Sequence, residues 1–142
     1  MIMVVFAALA GLAVQGAEPG WTWSLYQGEG PVVLANDVPD TARLRATLEC
    51  EPGSGVARVA SYGAAAEPGM ATLRSGAATA ASEAQAGRNG KLTAVLRTDH
   101  PVFAAFVQTG RMVVTVGGAE RVVEVQPVHL AKLRRFAELC GG

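Results

Sequence analysis

A mainly β domain of the α+β class is predicted: a small antiparallel sheet or sandwich, a short helix near 101–108, a C-terminal helix near 128–139 and one disulfide. Three observations predict it. Apolar and polar residues alternate with a period of two in several short runs, the pattern of half-buried strands. Seventeen glycines in 142 residues fall largely between those runs, as turn punctuation. Two cysteines, Cys50 and Cys140, make an even pair with a single possible intramolecular bridge.

Taken in order, Trp21, Trp23 and Leu25 alternate with Thr22, Ser24 and Tyr26, a first strand. Gly28, Gly30 and Pro31 then break the chain before a second apolar run, Val32 to Ala35. Asn36 to Asp40 reads as a loop by composition. Leu44, Ala46, Leu48 and Cys50 alternate with Arg43, Arg45, Thr47 and Glu49, which predicts a strand with Cys50 facing the core. A turn at Glu51–Gly55 lets Val56 to Tyr62 return as its antiparallel partner. Met70 to Arg74 and Ala77 to Ala84 straddle Ser75-Gly76 as a hairpin, although alanine's high helix propensity leaves 77–86 open between strand and helix. Lys91 to Arg97 forms the next strand after a turn at Gly87–Gly90.

Thr98-Asp99-His100-Pro101 has the residues of a helix start, a capping side chain followed by proline. Val102, Phe103, Phe106 and Val107 share one face of that helix, which ends near Gly110. Met112 to Val116 and Arg121 to Val125 make a hairpin about Gly117-Gly118. Pro127 opens the last helix, where Leu130, Leu133, Phe136, Ala137 and Cys140 fall on one stripe at helical spacing. Cys140 thus sits at the inward end of the stripe, placed to meet Cys50.

The chain's address is read from its start. Ile2 to Val14 is an apolar run of about 13 residues, followed by small residues and then Glu18-Pro19. That is the length of a signal-peptide core and short of the ~20 residues a bilayer span takes. Residues 1–17 are therefore expected to be a signal peptide, cleaved after Gly16 or Ala17, although no Lys or Arg precedes the run. Residues 18–142 would be a single secreted β-rich domain with no transmembrane span left after cleavage. A periplasmic or secreted location is oxidising, which favours the bridge over free thiols.

Lys and Arg number 12, as do Asp and Glu, so the formal net charge is zero. Nucleic-acid binders carry a basic excess that displaces counterions, and its lack argues against such a partner. No cofactor or metal is called for, since two histidines and two cysteines at unrelated spacings do not make a ligand set. His100 beside Asp99 is read as a helix cap rather than a catalytic pair, and His129 as a surface residue. Gly53-Ser54-Gly55 lacks the strand–elbow–helix pattern of a nucleophilic serine. The candidate binding residues are Trp21 and Trp23, a possible aromatic platform, and Lys132, Arg134 and Arg135, a basic face of the last helix. For both sets a structural reading stands beside the binding one, as core anchors and as a solvated helix face.

Leu44-x-Ala46-x-Leu48-x-Cys50, Phe103-Ala-Ala-Phe106, Arg111-Met-Val-Val-Thr-Val116 and Leu130-x-x-Leu133-x-x-Phe136-x-x-x-Cys140 together resemble small uncharacterised periplasmic proteins of alphaproteobacteria. The arrangement is also similar to the invasion-associated locus B and type VI secretion-associated VasI-like families. In these, a strand ending in cysteine and a closing helix with a late cysteine recur around a β-domain. The likeness spans residues 42–140 and implies an envelope-associated, non-enzymatic protein. The expectation is an exported module that binds an envelope protein or glycan. The alternative is a small periplasmic hydrolase, or an inhibitor of a secreted or periplasmic hydrolase that uses the Glu51–Gly55 loop.

Overall fold

The computed structural model describes residues 20–64 and 67–142; the expected signal peptide lies outside the described residues. Among the described residues nine strands follow one another as β1 (Thr22–Tyr26), β2 (Val32–Asp37), β3 (Leu44–Cys50), β4 (Val56–Ser61), β5 (Gly69–Ser75), β6 (Ala78–Ala86), β7 (Leu92–Arg97), β8 (Arg111–Val116) and β9 (Ala119–Glu124). Helix α1 (Pro101–Thr109) links β7 to β8, and α2 (Leu130–Cys140) ends the chain. All neighbours are antiparallel, in the order β1-β2-β3-β4-β7-β6-β5-β8-β9. The chain is mainly β, as its alternation predicts, and the Cys50–Cys140 disulfide is formed.

Residues 78–86, left open between strand and helix, form β6. Ala78 and Ala80 are half-buried and Ala84 fully buried, while Thr79, Ala81 and Glu83 face out. Pairing on both sides overrides alanine's helix preference. Ala78 to Ala84 pair with β5, whereas Gln85 and Ala86 pair with Thr93 and Leu92 of β7. β6 therefore belongs to two halves of the sheet, which curls at this strand. Where the β6–β7 ladder lapses, the Ser82 hydroxyl accepts from the Val95 amide at 3.2 Å.

Both helices cover one face of the sheet, α1 against β5, β6 and β8 and α2 against β1 and β2. Leu34, Leu48, Leu73, Phe106, Leu133 and Phe136 are fully buried between the layers. Each such side chain contributes about 1.5–3 kcal/mol by leaving water. α1 begins where His100 Nδ1 accepts from the Val102 amide at 3.0 Å, with Pro101 in the first turn. It ends at Gly110, whose φ of +75° and contact with Val125 leave no room for a side chain; a Cβ there would lie 2.3 Å from the Val125 carbonyl. α2 starts two residues later than the sequence suggests, because Pro127–His129 first make one 3-10 turn.

The far end of α2 is fastened to the β3–β4 hairpin. Helix C-termini leave unpaired carbonyls, and here backbone amides meet two of them. Gly53 donates to the Leu139 carbonyl at 2.9 Å and Gly55 to the Cys140 carbonyl at 2.8 Å. The disulfide joins the same two elements, with the Cα atoms of Cys50 and Cys140 5.8 Å apart.

Candidate binding surface

The two tryptophans do not form a platform. Trp23 is 1% exposed and lies in the core, so its place in the expected binding surface is corrected. Its ring N–H donates to the Glu124 carbonyl at 3.0 Å, tying edge strand β1 to edge strand β9 across the curl. Lys132 is likewise drawn out of the expected basic face. Its ammonium donates to the Trp23 carbonyl at 2.6 Å. Arg135 pairs with Glu138 at 3.1 Å, one turn along the helix, and Arg134 is exposed. The three basic residues of α2 thus have separate surroundings, and Lys132 serves as a tie between helix and sheet.

Trp21 has another partnership. It stays half-exposed just before β1, with the Arg45 guanidinium carbon 4.0 Å from its ring centroid and that of Arg43 5.1 Å away. The register of β2 against β3 explains how these arginines reach it. Asn36 lies opposite Ala46, but Asp37 lies opposite Leu44, so Arg45 is the extra residue of a β-bulge. Bulges re-aim the side chains around them. The strict alternation read from Leu44 to Cys50 therefore holds only from Ala46 onward. Leu44 is half-buried opposite Asp37, and the arginines turn toward Trp21 instead of standing apart in solvent.

Three shallow grooves meet at Arg45. One of about 460 Å³ is bordered by Trp21, Arg43, Arg45, Tyr62 and Asn89. Another of about 260 Å³ runs from Trp21 and Arg45 to Gln126, Val128 and His129. The third, about 510 Å³, passes Tyr62 and Gly63 to Arg121 and Val122. Lys91 adds a cation 5.8 Å from the Tyr62 ring centroid. Stacking on an aromatic face holds a guanidinium by about 0.5–1 kcal/mol at exposed sites.

Arg121, which the sequence gives no reason to single out, is a clasp. Its Nη1 donates to the Ser61 carbonyl at 2.9 Å, the Ser61 hydroxyl at 3.2 Å and the Gly90 carbonyl at 2.7 Å. Its Nη2 donates to the Ala64 carbonyl at 2.8 Å. One side chain of β9 thereby holds the end of β4 and the turn before β7. No local pattern could reveal this, because the partners lie 31 to 60 residues away.

Four other polar residues have structural surroundings of their own. Asp99 receives two bonds from the Arg97 guanidinium, at 2.9 and 2.7 Å, and that partner holds its carboxyl below the ordinary range. His100 spends Nδ1 on the helix cap. Asp37, 6% exposed, accepts from the hydroxyls of Ser24 and Tyr26, and its hydrogen bond pushes the Tyr26 phenol up. His129 is half-buried, 3.4 Å from the Lys132 ammonium; burial first, and that charge second, hold its imidazole below the usual value. Among the described residues no group of three or more His, Cys, Asp or Glu side chains could hold a metal ion. The Glu51–Gly55 loop, considered as an inhibitory loop, has two amides bound to the end of α2 and the Gly55 carbonyl bound to the Thr98 amide. Among known proteins, no family model, curated protein or solved structure matches this chain.

Proposed function

We propose that this protein is exported to the periplasm or secreted, and that it acts without catalysis by binding another macromolecule of the cell envelope at the open end of its curled sheet. The observation that carries the reading is the stack of Arg45 and Arg43 at Trp21, where three grooves meet. Interfaces favour aromatic residues and arginine, which combine contact area with directed hydrogen bonds. Export is supported by the apolar leader at 1–17 and by the cystine, a bond that lasts in oxidising compartments. No helix among the described residues is long and apolar enough to cross a membrane. The likeness to periplasmic families over residues 42–140 points the same way.

Two measurements test this. The intact mass of protein recovered from the envelope fraction is expected to lack the leader and the two thiol hydrogens; an uncleaved cytosolic chain with both thiols free would refute export. Amide and indole NMR spectra recorded with added envelope extract should shift at Trp21, Arg43, Arg45 and Tyr62. Shifts confined to other faces would refute the binding surface.

A further inference from the structure

We infer that the partner of this surface adds to the free edge of β9 as a tenth strand, an extended polypeptide segment that sets a β-branched residue between two basic ones; this deepens the binding reading above and rests on it.

Which main-chain groups are free follows from the turn. β8 and β9 are joined by two residues, Gly117 and Gly118, so Val116 and Ala119 close the hairpin as a hydrogen-bonded pair. Bonded and non-bonded pairs alternate along an antiparallel ladder. Ala119, Arg121 and Val123 therefore aim their amides and carbonyls at β8, and Glu120, Val122 and Glu124 aim theirs away. Two long-range bonds keep the same parity. The Val125 amide reaches the Gly110 carbonyl on the β8 side, and the Glu124 carbonyl takes the Trp23 ring N–H on the other. β9 ends the sheet, and among the described residues nothing bonds the outward amides and carbonyls of Glu120 and Val122. Beside this row runs the groove of about 510 Å³ whose far wall holds Tyr62, Gly63 and Ala64. Arg121 spans the two walls from the core side, through its bonds to Ser61 and Ala64. Main-chain donors and acceptors that alternate at strand spacing are met by an extended main chain, the mode of strand addition.

The side chains beside that row set the partner's chemistry. Val123 is buried, so Glu120, Val122 and Glu124 share the outer face, and all three are exposed. Val122 keeps 47% of its surface in water. Glu120 meets Arg74 at 3.5 Å with both side chains at least half exposed, and exposed pairs of this kind are weak. Residues directly opposite on paired strands interact, so Lys or Arg against the two glutamates and Val, Ile or Thr against Val122 fits the row. A second copy of β9 does not fit. Either five-residue register of the strand against itself opposes like charges, Glu120 to Glu124 or Arg121 to Arg121.

The experiment titrates the disulfide-bonded protein into a fluorescein-labelled peptide, Lys-Thr-Val-Thr-Lys, read by fluorescence anisotropy. The same peptide with Glu for Lys serves as the comparison probe. The Lys peptide is expected to bind saturably, with a Kd under about 1 mM, and the Glu peptide to stay free. Amide exchange followed by NMR should slow at Glu120 and Val122 when the Lys peptide is present. Val122→Pro removes an outward donor, keeps the bonds of β9 to β8 and leaves every charge in place, so binding should fall about tenfold or more. Glu124→Gln should weaken it about two- to fivefold, and Arg134→Gln, on α2, should change nothing. The exchange measurement on the parent protein carries the test even if Val122→Pro fails to fold. No saturable binding, equal binding of the Glu peptide, unslowed exchange at Val122, or binding indifferent to a folded Val122→Pro overturns the inference. If envelope extract shifts Trp21 and Tyr62 but leaves exchange at Glu120 and Val122 unchanged, the strand assignment falls while the binding surface stands. If the extract affects neither pair, both fall.

Discussion

Replacing Cys50 and Cys140 together by alanine probes how α2 is held to the sheet. The bridge closes a loop with a sequence separation of 90. Loop-closure entropy for that length is about 15 cal/mol/K, or roughly 4.6 kcal/mol at 25 °C, all of it exerted on the unfolded chain. The folded side is left with substantial support. Leu133 and Phe136 stay buried, and the amides of Gly53 and Gly55 still reach the carbonyls of Leu139 and Cys140. Both cysteines are fully buried, so the alanines also leave a small void, which adds to the loss. The net expectation is a loss of about 3–5 kcal/mol. Urea unfolding followed by tryptophan emission measures it, and the denaturant slope should rise because the unfolded chain is no longer cross-linked. Reductant added to the parent protein should remove the cross-link's share of that loss but not the void's, and slowly, since both sulfurs are shielded until the helix end opens. A loss under about 1 kcal/mol would refute this reasoning and show that packing and the two backbone bonds suffice.

Arg121→Met keeps the aliphatic stem but removes the bonds to Ser61, Gly90 and Ala64, and is expected to cost about 2–3 kcal/mol in urea unfolding. An unchanged midpoint would mean that water replaces the clasp without cost. His129, whose folded value is held low by burial and then by Lys132, favours its neutral form in the fold. The unfolded chain therefore binds the proton more readily, and stability should fall as pH drops through 6.5 toward the lower folded value. His129→Gln should flatten that part of the profile in thermal melts at several pH values, and an identical slope would exclude His129 as its source.

Much of the fold was legible because it is local. The alternation over 46–50, the turn that returns 56–61 beside it, the glycine turns and the proline-opened helix at 101 each arise from neighbours along the chain. The stripe Leu133, Phe136 and Cys140 was legible in the same way, and it placed the disulfide. What escaped depends on partners distant in sequence. β4 passes the chain to β5 on the far side of β7 and β6, and no local signal encodes that step. The bulge at Arg45 is a property of the β2–β3 pair, so a sequence reading leaves Arg43 and Arg45 as solvated charges. Trp23 and Trp21 look alike at two-residue spacing. Only the curl that brings Glu124 to Trp23 buries one and leaves the other at the rim.

The bond between the β3–β4 hairpin and α2 sets an order of events as the chain is synthesised from its N-terminal end. Cys50 emerges well before Cys140, at a sequence separation of 90, and has no disulfide partner until that residue follows. Trp23 likewise must wait for Glu124 and Lys132 before its ring N–H and carbonyl are satisfied. Folding can start early, but the bridge can form only once Cys140 has followed, so a chain cut before that residue would keep Cys50 as a thiol.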